Sequence, residues 1–396
     1  MNRMIGLDRV VIGNFRIINI DFNKLLFNSN VMLEKEGDFV YLLENGEGFR
    51  NLKICDHEMF GELWAGTKKT FAMKQDFSRM DISVSNFYTC NLKNVSVEEF
   101  KQNLIEIFEY LYRRYGISVC LDNLKIRQLE INTTFKLKST FYQYHRALKL
   151  LMFNLPKTYQ KSRSICKIDK EKQRMESETF YRGNSMMEIK IYDKKKQLEE
   201  SKNLKLNDEY MRIEIVLKKT QKVKEVFKSE FLEDLTNEQI VEFYYGQFKK
   251  LFEKPYRKWQ RENREKLRQM ILKHKGTKHP SWMNNLIREC CNIEQRDQVP
   301  FLLDVRDLFE EIKKQDKYGH YKRVIQSFNK NKVSGDVYYQ NDAEKIEEII
   351  KNVDDEYHIS QNRYMPISGE LIECDYNKCD MINLRKNENN YEKICL

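Results

Sequence analysis

The chain has 396 residues, with 70 Lys and Arg against 60 Asp and Glu, a formal balance of +10. Apolar residues make up 41% and charged residues 33%, with only 5 Pro and 14 Gly, which excludes a collagen-like or wholly disordered polymer. That length holds about two or three domains with real cores, and the basic excess favours a polyanionic partner.

No apolar run reaches membrane-spanning length, and the start, MNRMIGLDRVVIG, lacks the features of a secretory signal. A cytoplasmic protein without membrane association is therefore expected. The nine cysteines are scattered and odd in number, as reduced thiols would be. His274, His279, Cys290 and Cys291, with the Cys374/Cys379 pair, lack the CxxC knuckle that marks structural zinc.

Residues 1–75 contain short β-type runs, RVVIGNFRI and DFVYLL, broken by a glycine turn at ENGEGF. A second turn is expected at Gly66, just after Trp64. RMDISVSNFY then alternates, with Met80, Ile82 and Val84 on one face and Asp81, Ser83 and Ser85 on the other. Ser96 and Glu99 form a capping box before a helix that carries Phe100, Leu104, Ile107, Phe108 and Leu111 and stops at Gly116. A strand, KIRQLEINTTFKL, and a helix over roughly 139–153 follow.

The basic stretch 157–174, with Arg163 and Arg174, reads as an exposed loop. SETFYRG and MMEIKIYDK flank a hairpin turn at Gly183-Asn184, and a short charged helix leads to the alternating YMRIEIVLKK. From a second capping box, Thr236 and Gln239, the chain reads as helical to about Asn331. LLDVRDLFEEIKK and YKRVIQSFNK are its nearest approach to a helix-turn-helix. The expected fold is α+β: a mixed, mainly antiparallel sheet with helices on one face, then a mostly helical part. Three segments are expected: 1–235, strand-rich; 236–345, helical and basic; and 346–396, a polar tail.

Successive strand residues point to opposite faces, so apolar parity identifies the core side. Leu129 and Ile131 face inward and leave Glu130 outside. Met187, Ile189 and Ile191 leave Glu188, Lys190 and Tyr192 outside. Met211, Ile213, Ile215 and Leu217 leave Arg212 and Glu214 outside, and the same parity puts Asp81 outside. Four strands thus each carry an acid on the face away from the core. Two carboxylates about 6 Å apart repel by roughly 3 kcal/mol at an effective dielectric of about 20. A gathered set needs cations, and Mg²⁺ or Mn²⁺ suits all-oxygen ligands. The opposing reading is a solvated sheet face whose acids pair with Lys190, Arg212 or neighbouring lysines.

Tyr192 has Lys190 and Lys194 on its own face and Lys195 and Lys196 directly after, a setting that could hold a phosphate beside a phenol. It could equally be an ordinary strand tyrosine, one of 22. TFYRGNSMMEIKIYDKKKQLEE, followed by MRIEIVLKK, resembles the core signature of rolling-circle replication initiators, both the Rep_trans-type plasmid initiators and the filamentous-phage gene II/X-type proteins. Those families show a strand ending Tyr-(Asp/Asn)-Lys and then a strand of the form Arg-(Ile/Phe)-Glu. An earlier acidic strand is matched by IRQLEIN or RMDISVS, so the resemblance spans about residues 79–220.

It implies a relaxase-like, metal-dependent nicking enzyme. The tyrosine would keep the 5′ phosphate of one DNA strand and release a 3′ hydroxyl as primer. Tyr192 would be the nucleophile, with Lys194 beside it. Glu130 and Glu214 would be the leading Mg²⁺ or Mn²⁺ ligands, Asp81 and Glu188 weaker ones, and Tyr181 a rival nucleophile. The H-x-H metal motif of better-known nicking enzymes is missing among the six His, which leaves a carboxylate site, with His145 as a minor candidate. The implied partners are origin DNA, duplex and single-stranded, and a host helicase or polymerase, with a homodimer left open. Lys190, Lys195, Lys196, Arg163, Arg174, Arg212, Arg257 and Trp259 are the expected DNA contacts, since cations neutralise phosphates and rings stack on bases. A non-enzymatic plasmid or phage regulator and a nuclease using water are the alternatives.

Overall fold

The computed structural model describes residues 5–35, 41–57, 59–69, 74–83, 94–159, 161–169, 174–274 and 342–364, with a few isolated positions besides. In chain order the elements begin β1 (Gly6–Gly13), β2 (Arg16–Ile20), α1 (Phe22–Leu26), β3 (Val31–Glu34), β4 (Tyr41–Leu42) and β5 (Gly48–Phe49). Next come β6 (Asn51–Cys55), β7 (Glu62–Lys69), β8 (Lys74–Ser83), α2 (Val97–Tyr110), β9 (Ile117–Cys120), β10 (Lys125–Lys136) and α3 (His145–Phe153). Then follow β11 (Lys161–Asp169), β12 (Arg174–Gly183), β13 (Met187–Asp193), α4 (Lys194–Lys202), β14 (Tyr210–Leu217) and α5 (Thr220–Phe227). The last are α6 (Asn237–Phe248), α7 (Lys254–His274) and α8 (Asp342–Tyr364).

The chain forms two compact units, each drawn from separate stretches. The first comprises Met1–Lys136, Gly183–Tyr244 and Glu356–Leu396; the second comprises Leu137–Arg182 and Tyr245–Asp355. The first unit is an α+β layer structure built on a large sheet with the strand order β13-β14-β10-β1-β8-β7-β6-β3. Each of these neighbouring pairs is antiparallel.

The expected parity sets the register of this sheet. Ile131 and Ile189 both lie opposite Ile215, Ile191 lies opposite Ile213, and Val10 lies between Leu129 and Ile82. All of these side chains are fully buried, and burying each aliphatic side chain is worth about 1.5–3 kcal/mol. Tyr244 of α6 donates its hydroxyl to the Ile213 carbonyl at 3.0 Å, tying that helix to β14.

Both expected capping boxes form. The Ser96 hydroxyl accepts from Glu99 N and the Glu99 carboxylate accepts from Ser96 N, while Thr236 and Gln239 make the reciprocal pair. Each satisfies two amides that a helix start otherwise leaves without partners. After α2 the helix widens into a π-type turn, Leu111–Tyr115, and ends at Gly116, whose φ of 68° suits glycine.

Two sequence expectations change. Gly66 is not a turn residue but lies in mid-β7, where a Cβ would stand 2.7 Å from the Arg50 carbonyl oxygen. Its glycine serves a close backbone approach. The stretch 157–174 is not a loop but contains β11, hydrogen-bonded to β12. Backbone pairing makes this strand, and KSRSICKID offers no strong apolar alternation by which to find it.

Within the second unit α8 buries Ile346, Ile349, Ile350 and Val353. Arg257 of α7 donates to Glu347 of α8 at 2.8 Å, and Tyr144 donates to Glu348 at 2.7 Å. The first turns of the expected polar tail thus belong to a packed helix. Cys290, Cys291, His279, Cys374, Cys379 and, but for isolated positions, the helix-turn-helix candidate lie outside the described residues. No helix among the described residues is long and apolar enough to cross a membrane.

Candidate active site

Four adjacent strands, β13, β14, β10 and β1, carry the acids and the tyrosine on the sheet face opposite the aliphatic core. Glu214 lies between Lys190 and Asn132 in register, and Arg212 lies between Tyr192 and Thr134. On β1 the register slips between Leu7 and Arg9, so Asp8 is the extra residue of a β-bulge. A bulge re-aims side chains, and here both Asp8 and Arg9 join the polar face.

The centre of the expected open face is covered, while Asp8, Lys190 and Tyr192 on it stay partly exposed. Glu130 is 4% exposed, Glu214 2%, and Arg212 and Lys194 0%. Asp193 caps α4 by accepting from Lys196 N at 3.0 Å, and the first turn of α4 places Lys194 over the Tyr192 ring, 5.8 Å from its centroid. Leu198 of α4 packs with Tyr210 and Leu92 beside it.

The Tyr192 hydroxyl donates to Glu214 Oε1 at 2.5 Å and also accepts from Arg212. Arg212 donates to Asp8 Oδ1 at 2.8 Å and to Thr134 Oγ1 at 2.7 Å. The Lys190 ammonium lies 3.0 Å from Glu130 Oε2 and 3.3 Å from Glu214 Oε2. Gln128 Nε2 donates to Glu130 Oε1 at 2.9 Å, and an Arg9 nitrogen is 3.7 Å from that same oxygen. Arg9 also holds Asp81 through two bonds, one of them 2.7 Å. Lys194 donates to Gln197 at 2.7 Å.

Asp8, Asp81, Glu130 and Glu214 are thus interleaved with Arg9, Lys190, Lys194 and Arg212. Burial, reinforced by the Glu214 charge, pushes the Tyr192 phenol well above its ordinary value, with Arg212 opposing. Glu214 is pushed up to about 7 by burial and by Asp8, against the pull of Lys190. Lys194 is pushed down to about 7 by burial and by Arg212. Burial also disfavours the charged form of Lys190, but Glu214 and Glu130 outweigh it and hold the ammonium above its ordinary value.

A raised carboxyl stabilises the fold only while protonated. The contribution of Glu214 is full below about 4.5 and is lost as pH rises through about 7. Glu214→Gln should therefore flatten the pH dependence of the urea midpoint, measured in EDTA, between pH values of about 5 and 8. Parallel curves for the two proteins would refute this assignment.

One carboxylate oxygen from each of Asp8, Glu130 and Glu214 lies within 4.8 Å of the others. A hard divalent cation with oxygen ligands at about 2.0–2.6 Å spans such a set, so the residues fit Mg²⁺ or Mn²⁺. The group contains no histidine. His145 lies instead among Phe141, Tyr142 and Phe180 in the second unit.

The structure brings together Glu130, Lys190, Tyr192, Lys194, Arg212 and Glu214 of the expected residues. It adds Asp8 and Arg9, which sequence reasoning missed. Asp81 shares the face but is held by Arg9, and Glu188 pairs with Lys218 at 2.6 Å. Arg212, expected as a DNA contact, is buried on the polar face with its guanidinium on Asp8 and Thr134. Lys190 is likewise engaged between two glutamates. Lys195 pairs with Glu209 at 2.8 Å, while Lys196 follows on the same turn of α4. Arg257 is tied to Glu347, and Trp259 stacks on Tyr256 at 6.2 Å. Tyr181 lies on β12, and the side chains of Arg163 and Arg174 are outside the described set.

No family model matches the chain, and no curated protein matches it. Among solved structures it is similar to one described as a rolling circle replication initiator protein from Geobacillus stearothermophilus. Identity is 13% and the TM-score 0.35, over 63% of this chain and 85% of that one.

Proposed function

We propose that the protein is a metal-dependent DNA strand transferase that nicks one strand of origin DNA to start rolling-circle replication and later rejoins it. The observation that carries this reading is the hydrogen bond from the Tyr192 hydroxyl to Glu214 within a three-carboxylate group. Tyr192 Oη attacks the scissile phosphorus as its proton passes to Glu214 Oε1. The new Tyr–O–P bond replaces the P–O3′ bond, and the departing 3′ oxygen takes a proton from solvent. Attack by a 3′ hydroxyl on the phosphotyrosine reverses these steps and restores the strand.

An ordinary phenol ionises near a pKa of about 10, and burial raises that cost. The Arg212 guanidinium on the same oxygen opposes that rise, and Glu214, already accepting the proton, acts as general base so that no free phenolate has to form before attack. Bound to Asp8, Glu130 and Glu214, a divalent ion would supply charge stabilisation to the phosphate oxygens. The nicking chemistry is assigned to 1–235 and duplex recognition to the helical, basic 236–345, with host helicase or polymerase as further partners.

The test is incubation with supercoiled origin DNA and Mg²⁺, with and without EDTA, followed by denaturing electrophoresis. An SDS-stable adduct on a 5′ phosphate, formed only with the metal, is expected. Nicking without an adduct would point to a water-using nuclease. Binding without either product would point to a non-enzymatic regulator.

A further inference from the structure

The two glutamates of the acid group do not face an open space. Glu130 Oε1 already accepts from Gln128, and Glu214 Oε1 accepts from Tyr192. The other oxygen of each, Oε2, converges on one atom, Lys190 Nζ, at 3.0 and 3.3 Å. Lys190 reaches this point from β13, where it lies opposite Glu214 in register. Its side chain is 20% exposed, so the stem has a route toward solvent.

A cation bridging the two Oε2 atoms would meet this ammonium, which already stands between them. The lysine satisfies the same charge demand with longer contacts and a single positive charge. We infer that Lys190 is a resident counter-ion of the acid group and competes directly with the divalent cation for Glu130 and Glu214. This rests on the carboxylate centre proposed above, and it adds a residue that sets how tightly that centre takes its metal. A charge of +1 removed from within about 3 Å of two carboxylates strengthens their attraction for any incoming cation, because buried charges are little screened.

The experiment measures Mn²⁺ binding to the full chain without DNA, by calorimetry or by the spin-resonance signal of free Mn²⁺. Lys190→Met is expected to bind Mn²⁺ at least tenfold more tightly than the natural protein, about 1.4 kcal/mol. Lys190→Gln, a neutral variant with a polar head, should move the same way, and Lys190→Arg should stay near the natural affinity. In the Lys190→Met background, Glu214→Gln should abolish the gain. A second readout is thermal: saturating Mn²⁺ should raise the unfolding midpoint of Lys190→Met more than that of the natural chain. Equal or weaker binding by both neutral variants, or a gain that survives Glu214→Gln, would overturn the inference. No DNA is present, so this result is independent of whether Tyr192 forms an adduct.

Discussion

Tyr192→Phe should abolish the covalent protein–DNA species, a loss of at least about a thousandfold, since it removes the oxygen that becomes esterified. The change removes one hydroxyl from a ring that otherwise keeps its place beneath Lys194. Its structural cost is the bond to Glu214 Oε1 and the one accepted from Arg212, and a hydrogen bond to a charged group is worth about 1.5–3 kcal/mol. Part of that is returned, because Glu214 keeps Lys190 on its other oxygen. Origin binding, measured by electrophoretic shift or fluorescence anisotropy, should stay within about threefold of the natural protein, since phosphate contacts dominate affinity. Adduct formation that persists in Tyr192→Phe would remove this residue from the chemistry and direct the same measurement to Tyr181→Phe. Loss of adduct and of binding together would mark a folding defect instead, which a circular dichroism spectrum identifies.

Much of this site is legible in the amino-acid sequence. Alternation in MMEIKIYDK, YMRIEIVLKK and IRQLEIN identifies the core side of three strands, and by elimination it puts Tyr192, Glu214 and Glu130 together on the other. That inference succeeds because the apolar residues pair across β13, β14 and β10 in the expected register. Asp8 escapes it because a bulge breaks the period of two at that residue, so neighbouring positions share a face and GLDRVVIG carries no clean parity. Nor does alternation distinguish a solvated polar face from a buried one. Glu214 and Arg212 read as outward residues and are covered, because four basic groups balance the acids and remove the need for water. The basic character of 157–174 hides β11 for a related reason: a strand held by backbone pairing need not show an apolar side. Arg257 reads as a phosphate contact, whereas its partner, Glu347, lies 90 residues along the chain.

The same charge balance gives the second large effect, the response to loss of Arg212. This side chain is 0% exposed in mid-strand and joins Asp8, Thr134 and Tyr192. Breaking a buried pair by deleting one partner typically costs about 3–5 kcal/mol, because the other charge is left without compensation, whereas apolar replacement of a whole ionic set is often neutral or stabilising. A face of four acids and four bases is therefore a poor route to stability. Arg212→Met should strand Asp8 and destabilise β14 and its neighbours by about that amount. In native-state hydrogen exchange, which resolves individual segments of a two-unit chain, the β14 amides should open at least about a hundredfold more readily. Arg212→Lys should do less damage but not restore the site, since an ammonium cannot reproduce the guanidinium fork that spans three partners. Adding Asp8→Asn to Arg212→Met should recover part of the loss, with a coupling of about 0.5–3 kcal/mol. Strictly additive effects, or unchanged exchange in Arg212→Met, would show that the two side chains do not compensate each other.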